Sequence, residues 1–261
     1  MHMKPMKVLL LFLLSGTYPL DAEALAAYHA SQTAIAIEVV EADAQREVAA
    51  DMLWDQLLQQ HVDREGNVNY RAMKADARFN TCVKAFSAIK MGSDWSREQK
   101  MAYWINAYNV FTVKLIVDNY PLKSITELKE PWKQKFITLD GQKYSLNQIE
   151  NEVLRPQFKD ARIHFAINCA SFSCPKLNNR AFFASSLNKV LDTLTRQFLN
   201  DTKRNKITPN EVQISKIFDW YGEDFNTGGN TVIDFLNRYG VGIKPDAEVT
   251  YLEYDWSLNE K

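Results

Sequence analysis

Cysteine, histidine, glycine and proline are all scarce in this chain of 261 residues, which holds three, four, nine and eight of them. So little glycine and proline argues against a loop-dominated or low-complexity polymer, and 46% hydrophobic content is enough for one globular core. Charge of one sign is also missing: 31 basic side chains face 32 acidic ones, for a net charge of −1 and no basic cluster. Such a surface lacks the electrostatic footprint of a nucleic-acid binder or of a protein held on an anionic membrane. The Cys-x-x-Cys spacing of dithiol redox motifs is absent, and so is any apolar run long enough to span a bilayer, which takes roughly 20 residues. No internal repeat or clear linker divides residues 60–255.

What is present begins with MHMKPMK, VLLLFLL and SGTYPLDAEALA: a basic start, a seven-residue apolar run and small residues suited to cleavage near Ala24 or Ala26. This pattern predicts a signal peptide over residues 1–24 and export to the periplasm or the medium. No integral membrane segment is expected once the leader is removed. No cysteine follows the apolar run, so no lipid anchor is expected. Residues 25–60, rich in Ala, Glu, Gln and Leu, read as a helical extension, and 61–261 as a single globular domain.

Ser96 and Gln99 form a capping box that opens the longest helix, which runs to about Asn119 before Pro121. Its interior, MAYWINAYNVFTVKLIV, is apolar nearly all round and predicts a central buried helix. Asn106 and Asn109 share a face of it, and buried amides must find partners. The partner is either a neighbouring backbone or a catalytic group to be oriented. Asp140-Gly141 marks a β-hairpin between Phe136–Leu139 and Lys143–Ser145, and Pro209-Asn210-Glu211 marks a second. Ser145 and Gln148 cap a further helix, expected to stop at Arg155. Glu150 lies beside its apolar stripe, where a carboxylate needs a partner: an arginine such as Arg155 or Arg162, or a catalytic imidazole. The expected fold is α+β: mostly helical, with the central helix on a small, largely antiparallel sheet built from hairpins. His29 and His61 read as surface residues, Cys82 as a buried small hydrophobe, and Trp220, Tyr221 and Phe225 as packing anchors.

The chemistry concentrates in Asp160–Leu177, DARIHFAINCASFSCPKL, which gathers His164, Cys169 and Cys174. Alternation puts Ile163, Phe165, Ile167 and Cys169 on one face and His164, Ala166 and Asn168 on the other, the pattern of a buried strand. Cys174, before Pro175, falls on a loop suited to exposure, whereas Cys169 reads as the more core-like thiol.

Taken in order, AYWINAYNVFTV, SLNQIENEVLRP, DARIHFAINCASFSCPKL and KIFDWYGEDF resemble the family called domain of unknown function 547, over roughly Tyr70 to Tyr254. The resemblance implies that the family's shared polar positions are here Trp104, Asn106, Asn109, Glu150, Arg155, Arg162, His164, Asn168, Cys169 and Cys174. Asn151 departs from it, because family members often carry histidine there. The resemblance implies no activity and no cofactor.

Residue types therefore carry the functional expectations. One reading is a cysteine-dependent hydrolase or acyltransferase: Cys174 as preferred nucleophile with Cys169 second, His164 as base, and Glu150 or Asn106 orienting the imidazole. Its substrate would be a small molecule, a peptide or a component of the cell envelope. The other is a non-catalytic envelope binding or scaffold module stapled by a Cys169–Cys174 disulfide. A zinc site of His164, Cys169 and Cys174 lacks tight spacing and a fourth ligand.

Overall fold

The computed structural model describes residues 22–261, and the apolar run of the expected leader lies outside them. A compact unit spans Asp43–Lys261. Helix α1 (Ala22–His61) enters this unit with Trp54, Leu57 and Leu58, all but fully buried. Helices α2 (Tyr70–Ala75) and α3 (Ala77–Ala88) follow, each started by an acceptor side chain: Asn69 for α2 and Asp76 for α3. Asp76 also lies 2.9 Å from His61 Nε2, so His61 is a buried, paired histidine rather than the surface residue expected.

The central helix is α4 (Arg97–Asn119), opened by the Ser96/Gln99 capping box and ended before Pro121. From Met101 to Val113 every residue is buried, because α4 has neighbours on all sides, chiefly α2, α3 and the helical segments after residue 145. The sheet component is divided in two. Strands β1 (Ile137–Leu139) and β2 (Gln142–Tyr144) form the first hairpin. Its turn, Asp140-Gly141, has positive φ at both residues (47° and 73°), as the right-handed twist of a two-residue hairpin requires. Strands β3 (Lys206–Ile207) and β4 (Glu211–Ile214) form the second hairpin, and β5 (Glu248–Tyr251) adds to β4 in parallel. The α+β class is as expected, with one parallel pair among otherwise antiparallel strands.

The helix capped by Ser145 continues beyond Arg155. Leu146–Gln148 is α-helical, Ile149–Leu154 is a π-helical turn, and Arg155–Phe158 resumes with Pro156 in its first turn. Pro156 follows closely on the π-helical turn, where the regular ladder is already widened and Arg155 N bonds back to Glu150 O.

The largest departure is in the chemistry-bearing stretch, which is not a strand. Ala161–Phe165 is a 3-10 helix started by Asp160, and residues 163–168 are buried on both faces. Side chains of α4, rather than a neighbouring strand, satisfy the backbone that follows it: Asn109 Nδ2 donates to Ala166 O, and Asn168 N donates to Asn109 Oδ1, both at 2.9 Å. A buried backbone must be paired, but it need not be paired in a sheet. Phe165 packs against Phe198, Phe218, Phe225 and Phe235, so truncating it to alanine should cost about 3–5 kcal/mol.

Candidate functional site

Residues 166–175 fold into a tight loop held by four sets of hydrogen bonds. Asn109 grips it from α4, as above. Asn168 braces it from within, donating from Nδ2 to Pro175 O (2.8 Å) and accepting at Oδ1 from Ala170 N (2.8 Å). The buried Arg204 donates to Cys174 O at 2.8 Å and also to Phe172 O. The C-terminal segment closes over the outside, Phe172 N donating to Ser257 O (2.7 Å) and Ser173 N to Asp255 O (3.1 Å). Within this brace Ala170 sits at φ +58°, a left-handed conformation that strains an L-residue by roughly 1–2 kcal/mol.

That bend brings the two thiols together. Cys169 N donates to Cys174 Sγ at 2.9 Å, while Cys169 Sγ lies 3.1 Å from both Ser171 Oγ and Tyr254 Oη. Both sulfurs are free. Their burial reverses the expectation: Cys174 is buried, and Cys169 is the more open of the two. The cause is the loop's closure, which turns Cys174 inward beneath Arg204. Burial pushes the Cys174 thiol well up, and the adjacent Cys169 adds to the effect. Burial acts the same way on Cys169, but the contacts with Cys174, Ser171 and Tyr254 outweigh it and hold that thiol below its ordinary range. Burial and the neighbouring thiols push the Tyr254 phenol far up, so it stays a proton donor.

Both cysteines line a cleft of ≈ 420 Å³ together with His164 and Glu150. His164 is buried, its ring centroid 4.1 Å from that of Tyr221 and its Nε2 2.7 Å from Asp224 Oδ2. Arg155 donates to the same carboxylate from Nε (2.5 Å) and Nη2 (3.1 Å), and its guanidinium lies 5.1 Å from the Tyr221 ring centroid. Burial raises the Asp224 carboxyl, but the bonds from His164 and Arg155 prevail and hold it at about 2. The acid that orients the imidazole is thus Asp224. Glu150 instead accepts from the Tyr108 hydroxyl (3.2 Å), and neither Arg155 nor Arg162 pairs with it. Arg162 is taken by Asp160 and Asp192.

Of the residues expected at the site, Cys169, Cys174, His164 and Glu150 meet at the cleft. Asn109 stands behind it and positions the cysteine loop. Asn106 faces elsewhere: its Nδ2 donates to Asp51 Oδ1 (3.0 Å) and Phe182 O (2.8 Å), and its Oδ1 accepts from Phe182 N (2.9 Å). Asn151, where the family often has histidine, links Asn147 to Arg155. Sequence reasoning missed Asp224, Ser171, Tyr108 and Tyr254. Asp224 did carry a signal, as an acid set between the core aromatics Phe218 and Phe225. Trp220, read as a packing anchor, is 47% exposed and stacks on Trp256 with centroids 5.8 Å apart, forming one wall of the cleft with Tyr254.

Among the described residues, no group of three or more His, Cys, Asp or Glu side chains is placed to hold a metal ion, so His164, Cys169 and Cys174 do not form the considered zinc site. Also among the described residues, no hydrogen bond joins either sulfur to His164, and no helix is long and apolar enough to cross a membrane.

Fold and site together define an α+β domain with a paired-thiol cleft and an acid-fixed histidine. Residues 92–199 match the family described as protein of unknown function, DUF547, which shows the resemblance over that stretch. The match contains the first three of the four motifs, through Leu177, and ends before KIFDWYGEDF. No curated protein and no solved structure matches the chain.

Proposed function

We propose that the cleft is the active site of a cysteine-dependent hydrolase or acyltransferase in which Cys169, rather than Cys174, is the nucleophile. The observation that carries this reading is the setting of Cys169 Sγ: on a partly exposed residue lining the cleft, 3.1 Å from two hydroxyls, and held below the ordinary thiol range. A thiolate attacks, so a thiol held below its ordinary range is the part of the site hardest to supply by accident. In the proposed reaction the Cys169 thiolate adds to the carbonyl of an ester or amide. Tyr254, kept protonated, and Ser171 donate to the charge that develops beside it. His164, fixed through Nε2 by Asp224, moves the proton to the leaving group. Water or a second acceptor then releases the acyl group from sulfur. If the N-terminal leader acts as read, the substrate is met outside the cytoplasm, as a peptide, a protein or another component of the envelope.

The test is a burst experiment with 4-nitrophenyl acetate, followed by mass mapping of the acetylated peptide. The expected result is one acetyl group on the peptide holding Cys169, lost in Cys169→Ser and retained in Cys82→Ser. A wild-type chain that shows no acetyl on Cys169 and no release above buffer overturns the proposal.

A non-catalytic binding module is the second reading, favoured by one observation: the half-exposed Trp220, stacked with Trp256 and Tyr254 along the same cleft. Large, open aromatic faces beside a cleft suit ligand stacking as well as substrate positioning.

A further inference from the structure

Nothing in acyl transfer requires a second sulfur beside the first. Cys174 Sγ is turned toward Ile167 O (3.9 Å), is buried, and has its thiol pushed up, so it serves poorly as a second nucleophile toward a carbonyl. Its position nevertheless is specific. Three features of the loop hold it there: the left-handed turn at Ala170, the Asn168 brace on Ala170 N, and the bond from Cys174 N to Ser171 O (3.2 Å). Together they return the chain so that Cys174 Sγ meets Cys169 N at 2.9 Å. A five-residue separation thereby places Cys174 Sγ within 2.9 Å of the Cys169 backbone, a proximity that Cys-x-x-Cys motifs obtain by spacing.

We infer that Cys169 is a hydroperoxide-reactive thiol whose sulfenic acid is resolved by Cys174 into an intramolecular disulfide. In the first step the Cys169 thiolate attacks the O–O bond of a hydroperoxide. An S–O bond forms, the O–O bond breaks, and the leaving alkoxide or hydroxide takes a proton, with Ser171 Oγ and Tyr254 Oη the hydroxyls nearest the sulfur. In the second step Cys174 attacks the Cys169 sulfur. The S–S bond forms, the S–O bond breaks, and water leaves with the Cys174 proton. Two electrons pass from the thiol pair to the peroxide, and an external thiol restores the reduced pair. An open, low-pKa thiol beside a resolving cysteine is the arrangement that stops oxidation at a reversible stage. The disulfide withdraws the nucleophile, so the same cleft is switched off by oxidation and on by reduction. This inference shares a reactive Cys169 with the proposed function and needs none of its acyl chemistry.

The experiment uses the full chain, reduced, freed of reductant, exposed to hydrogen peroxide near neutral pH and then alkylated for mass mapping. The expected result is a Cys169–Cys174 disulfide reversed by dithiothreitol, formed ~10-fold or more faster than any oxidation of the buried Cys82. In Cys174→Ser the reaction should stop at a sulfenic acid on Cys169, trapped by dimedone. Should that variant fail to fold, Cys169→Ser provides the second arm, in which Cys174 should remain alkylatable after peroxide. The inference is overturned if wild-type Cys169 stays reduced, if it runs on to sulfinic acid with Cys174 untouched, or if Cys174 oxidises equally fast in Cys169→Ser. A chain acetylated on Cys169 but inert to peroxide loses this inference alone, and one oxidised but never acetylated loses only the acyl-transfer reading.

Discussion

His164 Nε2 lies 2.7 Å from Asp224 Oδ2 although 60 positions separate them in the chain, and Arg155 grips the same carboxylate with two nitrogens. One acid therefore fixes both the imidazole that lines the cleft and the cation behind it. Because the Asp224 carboxyl is held at about 2, its contribution to stability is fully present above the unfolded value of about 3.9 and is lost as the pH falls through 2. With about a quarter of the side chain in contact with solvent, Asp224→Asn should cost about 1–2 kcal/mol at pH 7. Urea unfolding at pH 7 and pH 2.5 checks this: the gap between variant and wild type should narrow at the lower pH. A gap that stays constant would remove the carboxylate's charge from the account. Acylation of Cys169 by 4-nitrophenyl acetate should slow in the same variant, since the imidazole loses its fixed orientation.

The two cysteines of the cleft should differ sharply in reactivity. Cys169 is partly exposed and its contacts hold its thiol low against the effect of burial, while burial pushes up the thiols of both Cys174 and Cys82. With limiting iodoacetamide at pH 7, Cys169 should be modified ~10-fold or more faster than either of the others. Tyr254→Phe removes one of the hydroxyls beside the sulfur, so it should slow that modification while leaving the melting temperature within a few degrees. Equal labelling of Cys169 and Cys174 would contradict the burial pattern from which the nucleophile was chosen.

The parts of the fold legible in the sequence were those fixed by neighbours in the chain. The Ser96/Gln99 and Ser145/Gln148 boxes and the Asp140-Gly141 turn each satisfy their own backbone within a few residues. The stretch from Ile163 to Cys169 was not legible, although its alternation fits a strand well. What decides its conformation is Asn109, which lies 57 positions from Ala166 and offers the backbone a partner that no period reveals. The same holds for the exposure of the thiols. Pro175 marks a loop correctly, but Arg204 and the segment after Tyr254 decide which side of that loop faces the core. Asp224 stands with Asp219 and Glu223 as three acids too close in the chain to converge on a metal without partners from elsewhere, and only the tertiary fold brings it to His164 and Arg155.

Asn109 should therefore be worth more than an ordinary buried amide. It is 1% exposed, and its removal leaves Ala166 O and Asn168 N without partners inside the core. Asn109→Ala should cost about 2–4 kcal/mol in urea unfolding, the sum expected for two orphaned backbone groups. It should also slow iodoacetamide labelling of Cys169, because the loop that holds Cys169 against Ser171 and Tyr254 loses its anchor on α4. Destabilisation without any change in labelling would mean that the loop is held by Asn168 and Arg204 alone.

Away from the cleft, Asp51 on α1 is 5% exposed and accepts one hydrogen bond from Asn106, with Glu47 one turn earlier on the same helix. Burial first, then the Glu47 charge, raises its carboxyl to about 7, against the smaller opposing effect of Asn106. Cys82 and Tyr103 also feel its charge, and both are neutral at ordinary pH, so neither compensates it. A carboxyl raised on folding contributes stability that is whole below its unfolded value, about 3.9, and is lost as the pH rises through 7. Asp51→Asn keeps an acceptor for Asn106 and cannot ionise. The variant should match wild type near pH 4 and exceed it by about 1–3 kcal/mol at pH 8. Urea unfolding at the two pH values measures the difference. A variant whose stability still falls between pH 5 and pH 8 as steeply as that of wild type would assign the loss to another group, with Glu47 the nearest.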